Sequence, residues 1–162
     1  MAASMKVEGI EQLDRMLAEL GNRAMEVAKK SLYEGAGVMA DAFAAAANSI
    51  RTERFKGKKD KRLPSPEEKA AIVGRTGIAR FKTNGDEVNT MVGVTEAEGY
   101  TKIGGEKKAV RLIARSINSG TSFMDKQPVF RKAKSSARGK ATDAMVKKAE
   151  ELYEEIINGS GN

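Results

Sequence analysis

The longest regular pattern in the sequence is an apolar periodicity over Asn22–Ile50. A helix of this length would extend about 40 Å, so its apolar face needs partners along most of a domain. Gly35 and Gly37 lie inside it, and each costs up to about 1 kcal/mol relative to alanine. The pattern therefore predicts a bend or a closely packed backbone there, and the small residues of Ala42–Ala47 would also permit a close neighbour. The apolar face comprises Met25, Ala28, Leu32, Ala36, Met39, Phe43, Ala46 and Ile50.

A shorter amphipathic helix is predicted before the long one, over Gly9–Leu20, by apolar residues at helical spacing. Gly21 is suited to the C-terminal end of this helix, and Asn22 is a suitable N-cap for the next one. We therefore expect two helices with a break between them.

A β-hairpin is predicted over Gly77–Val94, because Asn84-Gly85 is a strong signal for a two-residue type I′ turn. Two strands alone are marginally stable, so a third strand or a helix packed on the inner face is expected. The segment Tyr100–Ile103, before the Gly104-Gly105 break, is the candidate for that strand. The position of the turn predicts a register with the pairs Phe81 with Val88, Ala79 with Thr90, and Gly77 with Val92.

Two more helices are predicted in the C-terminal half, over Lys108–Ser119 and over Ser136–Ile157. Between them lie a helix-ending Gly120, which can take a positive φ, a loop over Ser122–Gln127 and an apolar plug over Pro128–Phe130. The plug would pin the loop to the core and fix where the last helix starts. We predict that this stretch is a structural corner, and the alternative is that its loop projects onto a neighbouring protein.

The order of these elements predicts one α+β domain over residues 1–162, since a chain of 162 residues can bury a core of its own. In it, the long N-terminal helix and the C-terminal helix pack on a small antiparallel sheet built on a β-hairpin. A mobile basic loop is expected at about 51–75 and a frayed tail at 158–162. No apolar run approaches the roughly 20 residues of a membrane span, and Met1–Lys6 lacks the apolar core of a signal peptide.

The basic segment Arg51–Arg75 contains Gly57, Pro64 and Pro66, which favour a loop. Over 51–62, seven lysine and arginine residues stand against two acids, and the excess of five supplies most of the net charge of +7. The run Ser65-Pro66-Glu67-Glu68 would nevertheless cap a turn of helix through Val73. Such a loop can touch phosphates or an acidic partner without reading base sequence, and a solvated loop without a partner is equally compatible. The candidate contacts are Arg54, Lys56, Lys58, Lys59, Lys61 and Arg62.

Catalysis is not expected, because the chain contains no histidine and no cysteine. Imidazole acid–base chemistry, thiol nucleophiles and Cys/His zinc sites are thereby excluded. Ser119 and Ser122 flank a turn, and a serine–lysine pair with Lys126 or Lys132 is the one hydrolytic arrangement still conceivable. We expect no cofactor, no metal and no small-molecule substrate.

The stretch Ile113–Ala133 carries a resemblance to a known family. Residues 113–122 read I-A-R-S-I-N-S-G-T-S, similar to an apolar segment ending in E-x-G-T-S, and residues 127–133 read Q-P-V-F-R-K-A, similar to P-F-x-R-P-A. Gly9, Leu13 and Leu17 are similar to an N-terminal G-x-x-x-L-x-x-x-L helix, and an alanine-rich helix follows. With these motifs the chain resembles the tail-component family of tailed bacteriophages with long non-contractile tails. Its members are small tail-completion or head–tail joining proteins of the neck. Two departures are Asn118, where an acid is usual, and Lys132, where a proline is usual.

The resemblance implies a non-enzymatic structural protein of phage or prophage virion morphogenesis, assembled in the bacterial host cytoplasm and located in the neck or tail of the virion. It implies a homo-oligomeric ring, with a connector, a tail terminator or a tail tube as partners and with DNA passing close by. It implies no catalytic residues. The residues that carry this signature, and that we expect to form the structural corner, are Gly120, Thr121, Ser122, Pro128, Phe130 and Arg131.

Two further hypotheses stay open on the residues alone. One is a small basic nucleic-acid-binding protein that uses the Arg51–Arg62 loop. The other is a hydrolase that uses Ser119 or Ser122.

Overall fold

The computed structural model describes residues 10–52, 61–85, 87–94, 101–103 and 105–159. Within them the chain forms helix α1 (Ile10–Asn48), helix α2 (Pro66–Gly74), six short strands, helix α3 (Val110–Ser119) and helix α4 (Val129–Gly159). The strands are β1 (Thr76–Ile78), β2 (Lys82–Asn84), β3 (Glu87–Asn89), β4 (Val92–Val94), β5 (Thr101–Ile103) and β6 (Glu106–Lys108). The predicted α+β class, with long N- and C-terminal helices and small antiparallel strand pairs, is confirmed.

The long helix α1 is continuous from Ile10 to Asn48, so the predicted break at Gly21 and Asn22 is wrong. Leu20 and Val27 pack in one apolar cluster against α4, and a continuous helix keeps these two residues on the same face. This packing outweighs the modest helix propensities of the exposed Gly21 and Asn22. The buried face also passes through Val27 rather than the predicted Ala28, which is exposed.

Helix α4 packs antiparallel along α1. Val27 contacts the end of α4 near Leu152 and Ile156, while Phe43 lies 5.7 Å from the ring of Phe130 at the start of α4. Of the two alternatives predicted at the α1 glycines, a close backbone neighbour is found at Gly35. A Cβ built there would collide with Met145 Cγ and would lie 2.8 Å from the carbonyl oxygen of Ala141. Gly37 has open space around it.

Helix α4 begins seven residues earlier than predicted, at Val129 instead of Ser136. Pro128 is preorganised for a helix start because its φ is fixed and its missing N–H needs no partner there. The Lys132 N–H donates to the Pro128 carbonyl oxygen at 3.1 Å, which closes the first turn. The apolar plug is therefore the first turn of the helix. At the other end α4 includes Asn158 and Gly159 of the predicted tail, and positions 160–162 lie outside the described residues.

The hairpin over 76–94 forms, but in a different register from the predicted one. Its tip pairs Asn84 with Glu87, so the turn follows Asn84, and Gly85 takes a positive φ of 58° at its first loop position. Its base pairs Ile78 with Val92. Between these ladders three residues, 79–81, stand opposite two, 90–91, which is the count of a β-bulge.

Strands β5 and β6 form a separate hairpin. The predicted third strand therefore pairs with Glu106–Lys108 and, in the part of the chain that the structure describes, not with the first hairpin. Lys108, predicted to begin a helix, is the last residue of β6, and α3 starts at Val110. The predicted end of this helix at Gly120 is confirmed.

The main core lies where α1 ends and α2, α3 and the loop before α4 meet. Its members are Ala47, Ile50, Ile72, Val110, Ala114, Ile117 and Met124. The apolar side of the predicted structural corner is therefore built into the centre of the domain.

Candidate functional site

The turn after α3 is closed by Gly120 and Thr121. Gly120 has φ 76° and ψ 160°, a conformation that is essentially restricted to glycine. Thr121 donates its N–H to the Met124 carbonyl oxygen at 3.0 Å, and its Oγ1 accepts the Met124 N–H at 2.9 Å. These bonds carry Met124, 1% exposed, into the main core.

Residues 61–63 run beside this turn, and we call 61–63 together with 120–127 the loop pair. The Arg62 N–H donates to the Phe123 carbonyl oxygen at 2.9 Å, and the Asp125 N–H donates to the Arg62 carbonyl oxygen at 3.0 Å. The Lys61 ammonium donates to the Thr121 carbonyl oxygen at 2.6 Å. The loop pair thus joins segments about 60 residues apart in the sequence.

Gln127 fastens the far end of the loop pair. Its side-chain oxygen accepts the Arg51 N–H at 2.8 Å, and its side-chain nitrogen donates to the Arg51 carbonyl oxygen at 3.0 Å. Its own N–H donates to the Ile117 carbonyl oxygen at 2.7 Å. The side chain is buried, so one amide group satisfies both backbone groups of the residue that leads out of α1.

The alternative prediction for Ser122–Gln127 is that this loop contacts a neighbouring protein. Burial restricts the residues that could make such a contact. Met124, Asp125 and Gln127 are buried, whereas Ser122, Phe123 and Lys126 are exposed. Phe123 is 58% exposed, and the Arg62 guanidinium lies 6.0 Å from the centre of its ring. Only these three positions of the loop are available to a neighbour.

Glu68 is the electrostatic centre beside the loop pair. Its carboxylate accepts two bonds from the Arg62 guanidinium, at 2.8 and 3.1 Å. It also accepts the Ser65 N–H at 2.9 Å, and the Lys108 ammonium lies 4.0 Å away. Ser65 in turn accepts the Glu68 N–H. This reciprocal arrangement is a capping box at the start of α2, so the helix start predicted there is confirmed.

The pKa of Glu68 lies below its ordinary value. Burial raises it, but the Arg62 hydrogen bond, the Ser65 N–H and the charges of Arg62 and Lys108 outweigh that effect. The carboxylate is therefore ionised at neutral pH and holds α2, the loop pair and β6 together.

The six predicted phosphate contacts have different outcomes. Arg54, Lys56, Lys58 and Lys59 lie outside the described residues. Lys61 and Arg62 are described, and both donate to groups of the fold, as given above. Leu63 and Pro64 are buried, so the latter part of the predicted loop, up to the start of α2, belongs to the packed domain.

The signature residues of the predicted structural corner lie in two places. Gly120 and Thr121 close the turn after α3, Pro128, Phe130 and Arg131 lie at the start of α4, and Ser122 is exposed. The Asn118 side-chain oxygen accepts the Arg131 N–H at 3.2 Å and so caps α4. Phe130 packs on Phe43 and on the main core. The capping contact is thus made by the amide of Asn118, at the position where the family that the sequence resembles usually has an acid.

A groove of about 1040 Å³ lies beside the start of α4, and it was not predicted from the sequence. It lies between β4 and α3, with Phe43, Ala114 and Phe130 among the residues of its lining. Arg80, Arg111 and Arg115 also line it, and none of its described lining residues is acidic. The sequence signal was present in part, because Arg111 and Arg115 are four residues apart on α3 and therefore share a helix face.

Among the described residues, no group of three or more acidic side chains is placed to hold a metal ion. Ser119 and Ser122 are both exposed at the surface turn. Of the helices that the structure describes, none has the length and apolarity that crossing a bilayer requires.

Comparison with known proteins found no matching family model, no matching curated protein and no matching solved structure.

Proposed function

We propose that this chain is a non-enzymatic structural protein of bacteriophage or prophage virion morphogenesis, acting at the head–tail junction. In this role it assembles as a ring with connector and tail proteins. The proposal rests on the resemblance of residues 113–133 to the neck-protein family. It is supported by the contacts of those residues, because Gly120, Thr121 and Phe130 all serve to fix one turn and the start of α4.

The geometry suits a building block better than an enzyme. Buried hydrogen bonds at Gln127 and Glu68 satisfy polar groups of the fold itself. The exposed part of the signature loop includes Phe123, a large apolar side chain whose ring centre lies 6.0 Å from the Arg62 guanidinium. Aromatic residues with a neighbouring arginine are typical of protein interfaces.

The test is assembly with the connector and tail proteins encoded beside this chain. Native mass spectrometry of the mixture should give a closed ring containing several copies of the chain. Phe123→Ser should lower the yield of that ring, whereas the matched exposed change Val146→Ser on α4 should not. A chain that stays monomeric with each of these proteins would overturn the proposal.

A second candidate function, non-specific nucleic-acid binding, is favoured by the excess of five positive charges over residues 51–62. DNA affinity measured across a salt series would test it, because each phosphate contact contributes about one unit to the salt slope. Lys56, Lys58 and Lys59 should be changed to glutamine together. Lys61 and Arg62 should be left intact, since their loss would also break bonds of the loop pair.

The matched control neutralises three exposed basic residues of α4, Lys132, Lys134 and Lys140. Nucleic-acid binding through the loop requires a smaller salt slope for the loop variant alone. Equal slopes for both variants, or no binding at low salt, would exclude it.

A further inference from the structure

We propose that the groove between β4 and α3 is a docking site for an extended, acidic segment of a partner protein that inserts apolar side chains between the arginines. This proposal does not depend on the function proposed above, because it is argued from the groove alone.

The rim of the groove sets the charge of the occupant. Arg80 and Arg115 are exposed and approach it from opposite sides, one from the hairpin bulge and one from α3. No described residue that lines the groove carries a negative charge. An anionic segment would therefore gain attraction from both sides, and arginine favours carboxylates because its guanidinium can donate two parallel bonds.

The floor of the groove favours a bound segment that carries apolar side chains. It consists largely of apolar side chains, and Met91 at its edge is 70% exposed, the highest exposure among the large apolar residues described. Covering this surface would remove apolar area from water, which phosphates alone cannot do. Phe43 is 8% exposed and its ring packs against Phe130, so it offers no open face on which a nucleic-acid base could stack. These features favour a peptide over DNA.

The edge of β4 that lacks a strand partner in the described part of the chain favours a bound segment in an extended conformation. In the described residues β4 pairs only with β1, so its other edge has no strand partner. Gly93 in β4 lines the groove, and a Cβ built there meets nothing within 4 Å. An extended peptide can form main-chain hydrogen bonds with such an edge, while alternate side chains enter the groove. Arg80 lies in the bulge at 79–81 and Met91 lies in the segment opposite it, and both residues line the groove.

The experiment selects peptides that bind the immobilised full chain from a random 12-residue library. The enriched peptides are then synthesised, and their affinity is measured by fluorescence anisotropy. We expect these peptides to alternate acidic and large apolar residues. Arg80→Glu combined with Arg115→Glu should weaken them at least about tenfold, and Met91→Ala should weaken them severalfold. The matched control, Arg138→Glu with Lys140→Glu on the exposed face of α4, should change affinity less than about twofold.

Circular dichroism and thermal unfolding of each variant show that the fold is retained, which is expected because all the altered side chains are exposed. Three results would overturn the proposal. The first is a library without enriched peptides, and the second is a set of enriched peptides that lack acids or bind the Arg80/Arg115 variant unchanged. The third is displacement of the peptide by duplex DNA together with loss of DNA binding in that variant, which would assign the arginines to phosphates.

Discussion

The α1–α4 helix pair and the loop pair stabilise the same domain in different ways. The helix pair relies on repeated apolar contacts and one close approach at Gly35. The loop pair relies on single hydrogen bonds: those of Gln127 and Lys61 join distant segments, and that of the Thr121 hydroxyl closes a local turn. A contact that repeats along a helix can lose one member and keep the rest, whereas a buried polar bond has no substitute nearby. Point changes at the loop pair should therefore cost more than changes along the helix pair.

The largest effect is expected for Glu68→Ala, since the Glu68 carboxylate holds Arg62 of the loop pair from outside it. The substitution removes the capping box of α2 and the carboxylate that binds Arg62, while Arg62 regains some water because its side chain is 46% exposed. We expect a loss of about 3 kcal/mol in the free energy of unfolding, measured by urea denaturation. The neighbouring exposed change Glu67→Ala should cost about 0.5 kcal/mol or less. Equal losses for the two variants would mean that the buried carboxylate has no special role.

A loss of about 2 kcal/mol is expected for Gly120→Ala, because its φ and ψ strain any residue with a side chain. The added Cβ would also lie 2.9 Å from Lys126 Cβ. Gly139→Ala is the matched control, since it lies in α4 with open space around it and should gain up to about 1 kcal/mol. Thermal unfolding of both variants would check this, and an unchanged midpoint for Gly120→Ala would contradict it.

A net loss of about 1 kcal/mol is expected for Gly35→Ala in the helix pair. The gain in helix propensity is outweighed because the new methyl group meets the Ala141 carbonyl oxygen and Met145. Gly37→Ala, two residues away and in open space, should instead gain up to about 1 kcal/mol. The test is whether the two substitutions change the free energy of unfolding in opposite directions, measured by urea denaturation. Two variants of equal stability would show that the helices do not approach closely at Gly35.

Sequence periodicity predicted the helix pair well and the loop pair poorly, for the same physical reason. Apolar residues at helical spacing specify a buried face without reference to distant segments, so most of α1 and the helical character of 136–157 could be predicted. The break at Gly21 was wrongly predicted, because local propensity cannot show that Leu20 and Val27 share one partner helix.

The candidate site depended on contacts that the sequence does not encode locally. Gly120 was predicted to end a helix and does so. The binding of Lys61 and Arg62 to the fold was not predicted, because a cluster of positive charges looks the same whether its donors face water or a carboxylate. The groove was missed because its lining comes from α1, the hairpin, α3 and the start of α4, which are far apart in the sequence. A count of residues around Asn84-Gly85 also placed the turn one residue too early.

The smallest effect on stability is expected when the pH is lowered. It distinguishes two glutamates, Glu26 and Glu68, whose pKa values both lie below the ordinary value of 4.5. The pKa of Glu26 on α1 is lowered mainly by the hydrogen bond to Lys30, but this side chain is exposed, so solvent screens its pairing. Glu68 is 2% exposed, and its lowered pKa stabilises the fold at pH values above about 4.5. That contribution is lost as the pH falls through the lower pKa of the folded state.

Hydrogen exchange should therefore show α2 losing protection below pH 4.5 before α1 does, and Glu68→Gln should abolish this difference in pH dependence. Simultaneous loss in both helices of the unaltered chain would show that Glu68 does not anchor α2 separately from the helix pair.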